Sequence, residues 1–257
     1  MSDTISDAPT QKRVLLTGAS GRIGRAVAPA LSERFDLRLW DKHDPGDITG
    51  LVTGDLADAA SFRDALNGVD TVIHLAAQST EADFVNVLVP NNVIGMYNLL
   101  ENAVAAKVKR VVFASTIQAF DAYPKERVIT PDDLPRPITL YGATKAFGET
   151  LGRWYHDKHG IEFLAVRIGW FLMPDSDHDL QLLQTHPGAK RIWLSPRDAA
   201  RFFTLAVDAP TIGTDGYGIA CLTSRPMHIR LALDSARALI GYEPLDDIRD
   251  YAQTATP

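Results

Sequence analysis

The sequence predicts an α/β fold built on a doubly wound parallel sheet, with a small C-terminal part laid over one side of it. Three observations predict this. Thr17-Gly18-Ala19-Ser20-Gly21-Arg22-Ile23-Gly24 follows the apolar run Arg13-Val14-Leu15-Leu16 and opens a helical pattern from Ile23 to about Leu31. Short apolar runs then alternate with helical patterns, the arrangement of parallel strands joined by crossover helices. One of those runs, Thr71-Val72-Ile73-His74-Leu75-Ala76-Ala77, ends in small residues. Such an end permits close approach of a ligand at the carboxyl side of the sheet. Together they describe a Rossmann-like architecture.

In the first unit, Gly18 makes the tight turn, Gly21 lets the backbone approach a pyrophosphate, and Gly24 lets helix and strand pack closely. The free N–H groups and positive dipole end of the helix then face the phosphates. The spacing is Gly-x-x-Gly-x-x-Gly rather than the commoner Gly-x-Gly-x-x-Gly, so the pattern alone also fits a turn without a ligand. Asp36-Leu37-Arg38-Leu39-Trp40 reads as a second strand ending at Asp41, 17 residues past Gly24. A carboxylate there bonds adenosine ribose hydroxyls and repels a 2′-phosphate, which favours NAD over NADP. Asp41 as a solvated loop acid is the plainer alternative, and Lys42 beside it works against the preference.

Leu51-Val52-Thr53-Gly54 gives a third strand, followed by Asp55-Leu56 and an expected helix from Asp58 to Leu66. Asp55 either bonds an adenine amino group or caps that helix. His74, inside its strand, reads as a core histidine. A helix is expected from about Asn91 to Ala106, then a strand Val111-Val112-Phe113-Ala114 ending at Ser115-Thr116. Pro124, Pro131, Pro135 and Pro137 mark a long loop suited to substrate contacts or a lid. Tyr141 starts a helix to about His159, and Phe163 to Gly169 is the sixth strand. From Trp170 the pattern loosens. Ser195-Pro196-Arg197-Asp198 reads as an N-cap, a first-position proline and a first-turn acid, opening a helix to about Val207. A last helix is expected from about Ile229 to Ile240, stopped by Gly241.

The chain has 257 residues, 46% of them apolar and 23% charged, enough for one full α/β core. Residues 1–11 read as a disordered tail and 12–257 as a single domain, with substrate-side elements mainly in 116–140 and 170–257. The net charge of −6 and the lack of a Lys/Arg-rich run argue against a nucleic-acid partner. An anionic substrate would need local basic residues, because the global field repels it. Cys221 is the only cysteine, so no internal disulfide can form. The opening residues are unlike a signal peptide, and the apolar stretch from Phe163 to Met173 is interrupted by Arg167 and too short to span a bilayer. A cytoplasmic protein without a membrane partner is the expectation.

Tyr141-Gly142-Ala143-Thr144-Lys145 places a tyrosine and a lysine four apart on one helical face. An ordinary tyrosine, with a pKa near 10, is a poor base at neutral pH. A neighbouring ammonium stabilises phenolate, and bringing the pKa to about 7 takes roughly 4 kcal/mol of differential stabilisation. Ser115 and Thr116 can bond a substrate hydroxyl. Tyr-x-x-x-Lys by itself fits an ordinary surface pair; after a dinucleotide turn and a Ser/Thr-ended strand it points to proton and hydride transfer.

With these motifs the chain resembles the extended short-chain dehydrogenase/reductase superfamily, in its NAD-dependent epimerase/dehydratase-like branch, from Thr17-Gly18 to Gly241-Tyr242-Glu243-Pro244. The resemblance implies that Tyr141 is the catalytic acid/base, that Lys145 also binds the nicotinamide ribose, and that the active-site hydroxyl falls on Thr116 and the family asparagine on Asn92. It also implies a homodimer or higher homo-oligomer, paired through the helices beginning near Asn91 and Tyr141. Within the branch the chain is most similar to uronate dehydrogenases and related NAD-dependent sugar dehydrogenases. Leu140 to Lys145, Phe147-Gly148-Glu149-Thr150, Val166-Arg167-Ile168-Gly169 and Trp193-Leu194-Ser195 carry that similarity. The chain departs where those enzymes follow the active-site serine with Asn-His and carry a small polar residue after Arg-Ile-Gly. Here stand Ile117-Gln118 and Trp170.

The implied cofactor is NAD, with no metal. Its expected contacts are Gly18, Ser20, Gly21, Arg22, Ile23 and Gly24 in the turn, Asp41, Asp55 and Leu56 beside it, then Leu75, Ala76, Ala77 and Ile168, with Tyr141 and Lys145. The expected substrate contacts are Gln78, Ser79, Ser115, Thr116, Ile117, Gln118, Tyr141, Gly169, Trp170 and Arg191. Arg191, next to Lys190, is the candidate for a substrate anion, because its fork suits a planar acid; both side chains being merely solvated is the alternative. The expected reaction is NAD-dependent oxidation of the anomeric hydroxyl of an aldose, a uronic acid or other anionic sugar, to the lactone. The alternatives are a hexose or hexose-phosphate dehydrogenase, an epimerase or dehydratase with tightly held NAD, and a non-catalytic dinucleotide sensor.

Overall fold

The computed structural model describes residues 11–251, so all but Gln11 of the expected tail lies outside the described residues. Seven strands form one parallel sheet: β1 (Arg13–Thr17), β2 (Asp36–Asp41), β3 (Leu51–Thr53), β4 (Thr71–His74), β5 (Arg110–Thr116), β6 (Glu162–Ile168) and β9 (Tyr217–Leu222). Their spatial order is β3-β2-β1-β4-β5-β6-β9, and β7 (Trp170–Phe171) and β8 (Trp193–Leu194) pair separately. The order reverses between β1 and β4, which opens a crevice at their carboxyl ends.

Strand periodicity sorts the core into two layers. Val14, Leu16, Ile73, Val112, Leu164 and Val166 face α1 (Arg22–Ser32), where Val27 and Leu31 meet Phe202, Phe203 and Ala206 of a later helix. Leu15, Val72, Val111, Phe113 and Phe163 face the opposite side, against Leu99, Leu100 and Ala103 of α2 (Gly95–Ala105) and Tyr155 of α3 (Leu140–His159). The C-terminal part adds α4 (Asp177–Thr185), α5 (Ala189–Ile192), α6 (Pro196–Asp208) and α7 (Asp234–Ile240). Ser195 caps α6 as expected, accepting from the Asp198 N–H at 3.0 Å. Among the described residues no helix is long and apolar enough to cross a membrane.

Several elements differ from expectation. The helix expected over 58–66 is a single 3₁₀ turn, Ala59–Phe62, capped by Asp58 rather than Asp55. Its apolar spacing anchors Phe62, Ala65 and Leu66 in the core without continuous helix. The helix expected from Asn91 begins earlier, as a π-wound segment Phe84–Ile94 that continues into α2. Pro90 inside it has no N–H to donate, and the wider winding absorbs the missing bond. The last helix starts at Asp234 rather than Ile229, because the backbone from 230 to 232 is paired with Ile129 instead. Strand β9, with glycine, alanine and cysteine in its interior, carried no legible strand pattern.

Close backbone packing generates a prediction. A Cβ at Gly24 would sit 2.1 Å from the Gly18 carbonyl oxygen, whereas one at Gly160, with φ +71°, meets nothing within 4 Å. Gly24→Ala should destabilise by about 3 kcal/mol or more, and Gly160→Ala by only about 1–2 kcal/mol. Thermal unfolding of the two variants tests the order, and equal losses would sink the packing argument.

Candidate active site

The glycine turn sits at the sheet's switch point. Gly18 has φ +75°, and a Cβ there would lie 2.6 Å from the Ala76 nitrogen. Gly21 is different: a Cβ would meet only the Gly18 oxygen, at 3.2 Å, so the protein's own packing does not demand its bare backbone. Gly21 is also the N-cap of α1 and supplies no side-chain cap, leaving the helix N–H groups free. That open cradle at a helix start fits a dinucleotide pyrophosphate. Arg22, on the same turn, pairs with the buried Asp179 of α4.

Two cavities flank the turn. The one on the Asp41 side, ≈240 Å³, is lined by Gly18, Asp41, Leu56, Leu75, Ala76 and Ala77 of the expected cofactor contacts, by Trp40, Lys42, His43 and Asn91, which were not foreseen, and by Gln78, which was expected at the substrate but lies here rather than in the Tyr141 cavity. Asp41 accepts from the Ser20 N–H at 2.9 Å and the His43 N–H at 3.2 Å, so it also fixes the turn. Asp55 lies outside this lining. Lys42 bonds it at 2.9 Å and, with the Ala57 N–H, holds its carboxyl below the usual carboxylate range.

The second cavity, ≈300 Å³, brings together Gly18, Arg22, Ile23, Gly24, Leu75, Ala77, Ser79, Ser115, Thr116, Gln118, Tyr141, Lys145, Ile168 and Gly169, with Ala114 and Phe171 added. Thr139 caps α3, accepting from the Gly142 N–H at 3.0 Å. Glu81, unremarked in the sequence, accepts from the N–H groups of Tyr141 (2.9 Å) and Leu140 (3.2 Å). A carboxylate at a helix N-terminus is favourable, and this one stitches the Ser79 loop to the helix that carries Tyr141. The Lys145 ammonium donates to the Ala114 carbonyl at 2.9 Å and lies 5.9 Å from the Tyr141 ring centre.

Burial sets the titration of this pair. It pushes Lys145 down to about 7 and raises Tyr141 above its ordinary value, partly offset by a hydrogen bond with Thr116. The sequence expectation was a lowered tyrosine. Desolvation of the phenolate is the larger effect, and the Thr116 bond offsets only part of it. His74, bonded to Thr17 at 2.7 Å, is pushed to about 3 mainly by burial and stays a neutral core residue.

Other expected residues sit differently. The Ser115 hydroxyl is committed to Glu149 at 2.5 Å, and Glu149 pairs with the buried Arg167 at 2.9 Å. Asn92 is buried away from the cavity, donating to Thr144 and clamping the Gln78 backbone from both sides. Ile117, Trp170 and Arg191 line a third cavity, which Gln118 and Gly169 share with the Tyr141 cavity. Ser20, Gly21 and Asn92 line none of the three.

Comparison with known proteins finds relatives along nearly the whole chain. Residues 14–181 match the NAD dependent epimerase/dehydratase family. The chain is 35% identical to the NAD-dependent glucose-6-phosphate dehydrogenase of Haloferax volcanii, over 95% of this chain and 97% of that one. It is 31% identical to L-arabinose 1-dehydrogenase (NAD(P)(+)) of the same organism, over 91% and 97%. The crystal structure of uronate dehydrogenase from Agrobacterium tumefaciens superposes with a TM-score of 0.82 at 32% identity, covering 96% of this chain and 90% of that one.

A buried lysine with a depressed pKa penalises folding. The charged form is disfavoured only in the folded state, so the penalty grows as pH falls from the ordinary lysine value to about 7 and is constant below that. Lys145→Met should therefore raise the Tm relative to the parent most at pH 6, with the gain shrinking as pH rises toward 10. A gain that is independent of pH, or largest at high pH, would contradict a buried ammonium.

Proposed function

The chain belongs to the NAD dependent epimerase/dehydratase family, and from that premise we propose that it is an NAD-dependent sugar dehydrogenase oxidising the anomeric hydroxyl of an aldose to the lactone. The observation that carries this reading is the convergence of Tyr141, Lys145 and Thr116 with the glycine turn on one cavity. When bound, the nicotinamide supplies the acceptor for the hydride that leaves C1. Gly18, Gly21 and Gly24 would hold the pyrophosphate, Asp41 the adenosine ribose, and Lys145 the nicotinamide ribose.

Thr116 orients the C1 hydroxyl, and the Tyr141 phenolate takes its proton as C1 becomes a carbonyl. Lys145 has three donors and gives one to Ala114, so two remain for the tyrosine and a ribose. Burial excludes water from the reacting atoms while raising the tyrosine pKa, so the ammonium's charge is what makes phenolate accessible. An anionic sugar, a uronic acid among them, is the substrate class this reading favours, because cations line the neighbouring chamber. A neutral aldose, or an epimerase or dehydratase reaction, is the second reading, favoured by the relative named for L-arabinose and by the family's own description.

Incubation with NAD and a panel of aldoses, monitored for NADH, tests the proposal; epimerised sugar without net NADH would replace it with the second reading. Tyr141→Phe should reduce turnover at least about a hundredfold while NAD affinity stays near parental, since only the proton-transfer group is lost. A tenth of the activity remaining would remove Tyr141 from the base role.

Cofactor choice gives a further expectation. The Asp41 carboxylate faces the adenosine cavity and repels a 2′-phosphate, although Lys42 and His43 share that lining. The ratio of kcat/KM for NAD over NADP should exceed about tenfold, as expected for a like-charge conflict of more than 1.4 kcal/mol, and Asp41→Ala should narrow it. Equal efficiency with both cofactors would remove Asp41 from this role.

A further inference from the structure

The third cavity, ≈300 Å³, adjoins the Tyr141 cavity across Gln118 and Gly169. Trp170 and His186 form part of its lining, their rings meeting edge to face at 5.0 Å. Three cations line it, Lys125, Arg191 and Arg230, against the single carboxylate of Asp121. Asp121 bonds Lys125 at 2.9 Å, which leaves the two guanidinium groups.

Neither guanidinium is well neutralised. Arg230 is 2% exposed, and its donors reach only backbone carbonyls, those of Phe120, Tyr123, Pro124 and Arg127. Among the described residues no carboxylate lies within ion-pairing distance of it. Arg191 donates to the Lys125 carbonyl at 3.3 Å, and its acid, Glu126, stands 3.8 Å away and mostly in solvent. Burial first, and the charge of Arg191 as well, push Arg230 below its ordinary pKa against the pull of Asp121. Buried charge is normally paired. Two guanidinium groups held near one another around an open chamber, in a chain of net charge −6, call for an anion supplied from outside.

We propose that this chamber is a phosphate subsite, and that the substrate is an aldose phosphomonoester whose anomeric carbon lies at Tyr141. This inference rests on the dehydrogenase reading above and names its substrate. A uronate carries one negative charge, on a carbon attached directly to the ring, and needs little room beyond the sugar's own. A phosphomonoester carries about −1.5 to −2 at neutral pH, with three strong acceptor oxygens on an extended arm. Both its charge and its reach match a second chamber with one unpaired and one weakly paired guanidinium group. His186 adds a donor: its Nδ1 accepts from the Gly188 N–H at 3.0 Å, which leaves Nε2 to carry the ring proton.

The test uses matched sets built on glucose, galactose and mannose, each as free sugar, uronate and 6-phosphate, with NAD saturating. The 6-phosphate of at least one set should give a kcat/KM at least about tenfold above both its companions. Arg191→Gln should lower the ratio of phosphorylated to free sugar by about tenfold or more, whereas Lys125→Gln, which removes a mostly exposed ammonium already paired with Asp121, should lower it by much less. Calorimetric titration with inorganic phosphate, without NAD, should show binding to the parent protein that Arg191→Gln loses. A preference for uronates would overturn the phosphate subsite and leave the dehydrogenase reading standing. Phosphate binding without any preference for phosphorylated sugars would also overturn it, since the anion would then not be the substrate's. Failure of every sugar to yield NADH would overturn both.

Discussion

A Cβ at Gly18 would stand 2.6 Å from the Ala76 nitrogen and 2.7 Å from the Leu75 carbonyl carbon, so β1 and β4 can meet at the switch point only with a bare backbone there. Gly24 repeats the constraint one helical turn later, against Gly18 and Ala19. These two contacts fix how α1 leaves the sheet, and hence where its uncapped N–H groups point. The parallel order β3-β2-β1-β4-β5-β6-β9 then places the ends of β4, β5 and β6 around the same crevice. Thr116 and Ile168, paired in register, come to the mouth of the site because they end their strands together.

A buried charge network holds the catalytic side of that crevice. Arg167, on β6, bonds Glu149 on α3 and the Thr130 carbonyl at 2.7 Å, and its guanidinium lies 4.0 Å over the Phe120 ring. Glu149 in turn receives the Ser115 hydroxyl from β5. Such a pair adds little net stability over a well-packed apolar substitute, because desolvation offsets attraction. What it does supply is position: two strands, the helix carrying Tyr141 and Lys145, and the loop from 120 to 137 share one set of directional bonds.

The fold was legible because period-2 apolar runs and glycine spacing are local signals. Gly18, Gly24 and the Ser195 cap act through neighbours within a few residues, so their roles could be read directly. The residues that were missed act across the chain. Glu81 caps a helix that starts 59 residues later, and Asp179 reaches Arg22 over 157. Arg230 binds carbonyls about 105 residues away; in sequence it is one more basic residue before a helix. Ser115 was expected to face the substrate, and only its contact with Glu149 reveals the competing partner. The tyrosine's raised pKa was likewise hidden, since spacing shows the neighbouring ammonium but not the burial of the phenolate.

The segment from 170 to 192 is where these long-range contacts matter most. Asp179, on α4, is buried against the cofactor turn through Arg22 and also accepts from the Met173 N–H at 2.9 Å. The same helix ends at His186, whose ring meets Trp170 in the cationic chamber, and α5 follows with Arg191. One short run of chain is therefore anchored at the glycine turn and presents its other end to the cationic chamber. The chain's loose pattern there reflects this double duty: its residues are fixed by a distant acid–base pair and by a cavity wall rather than by a periodic core face. A ligand at the glycine turn and one in the chamber would thus bear on one structural piece, joined to the turn through the Arg22–Asp179 bond.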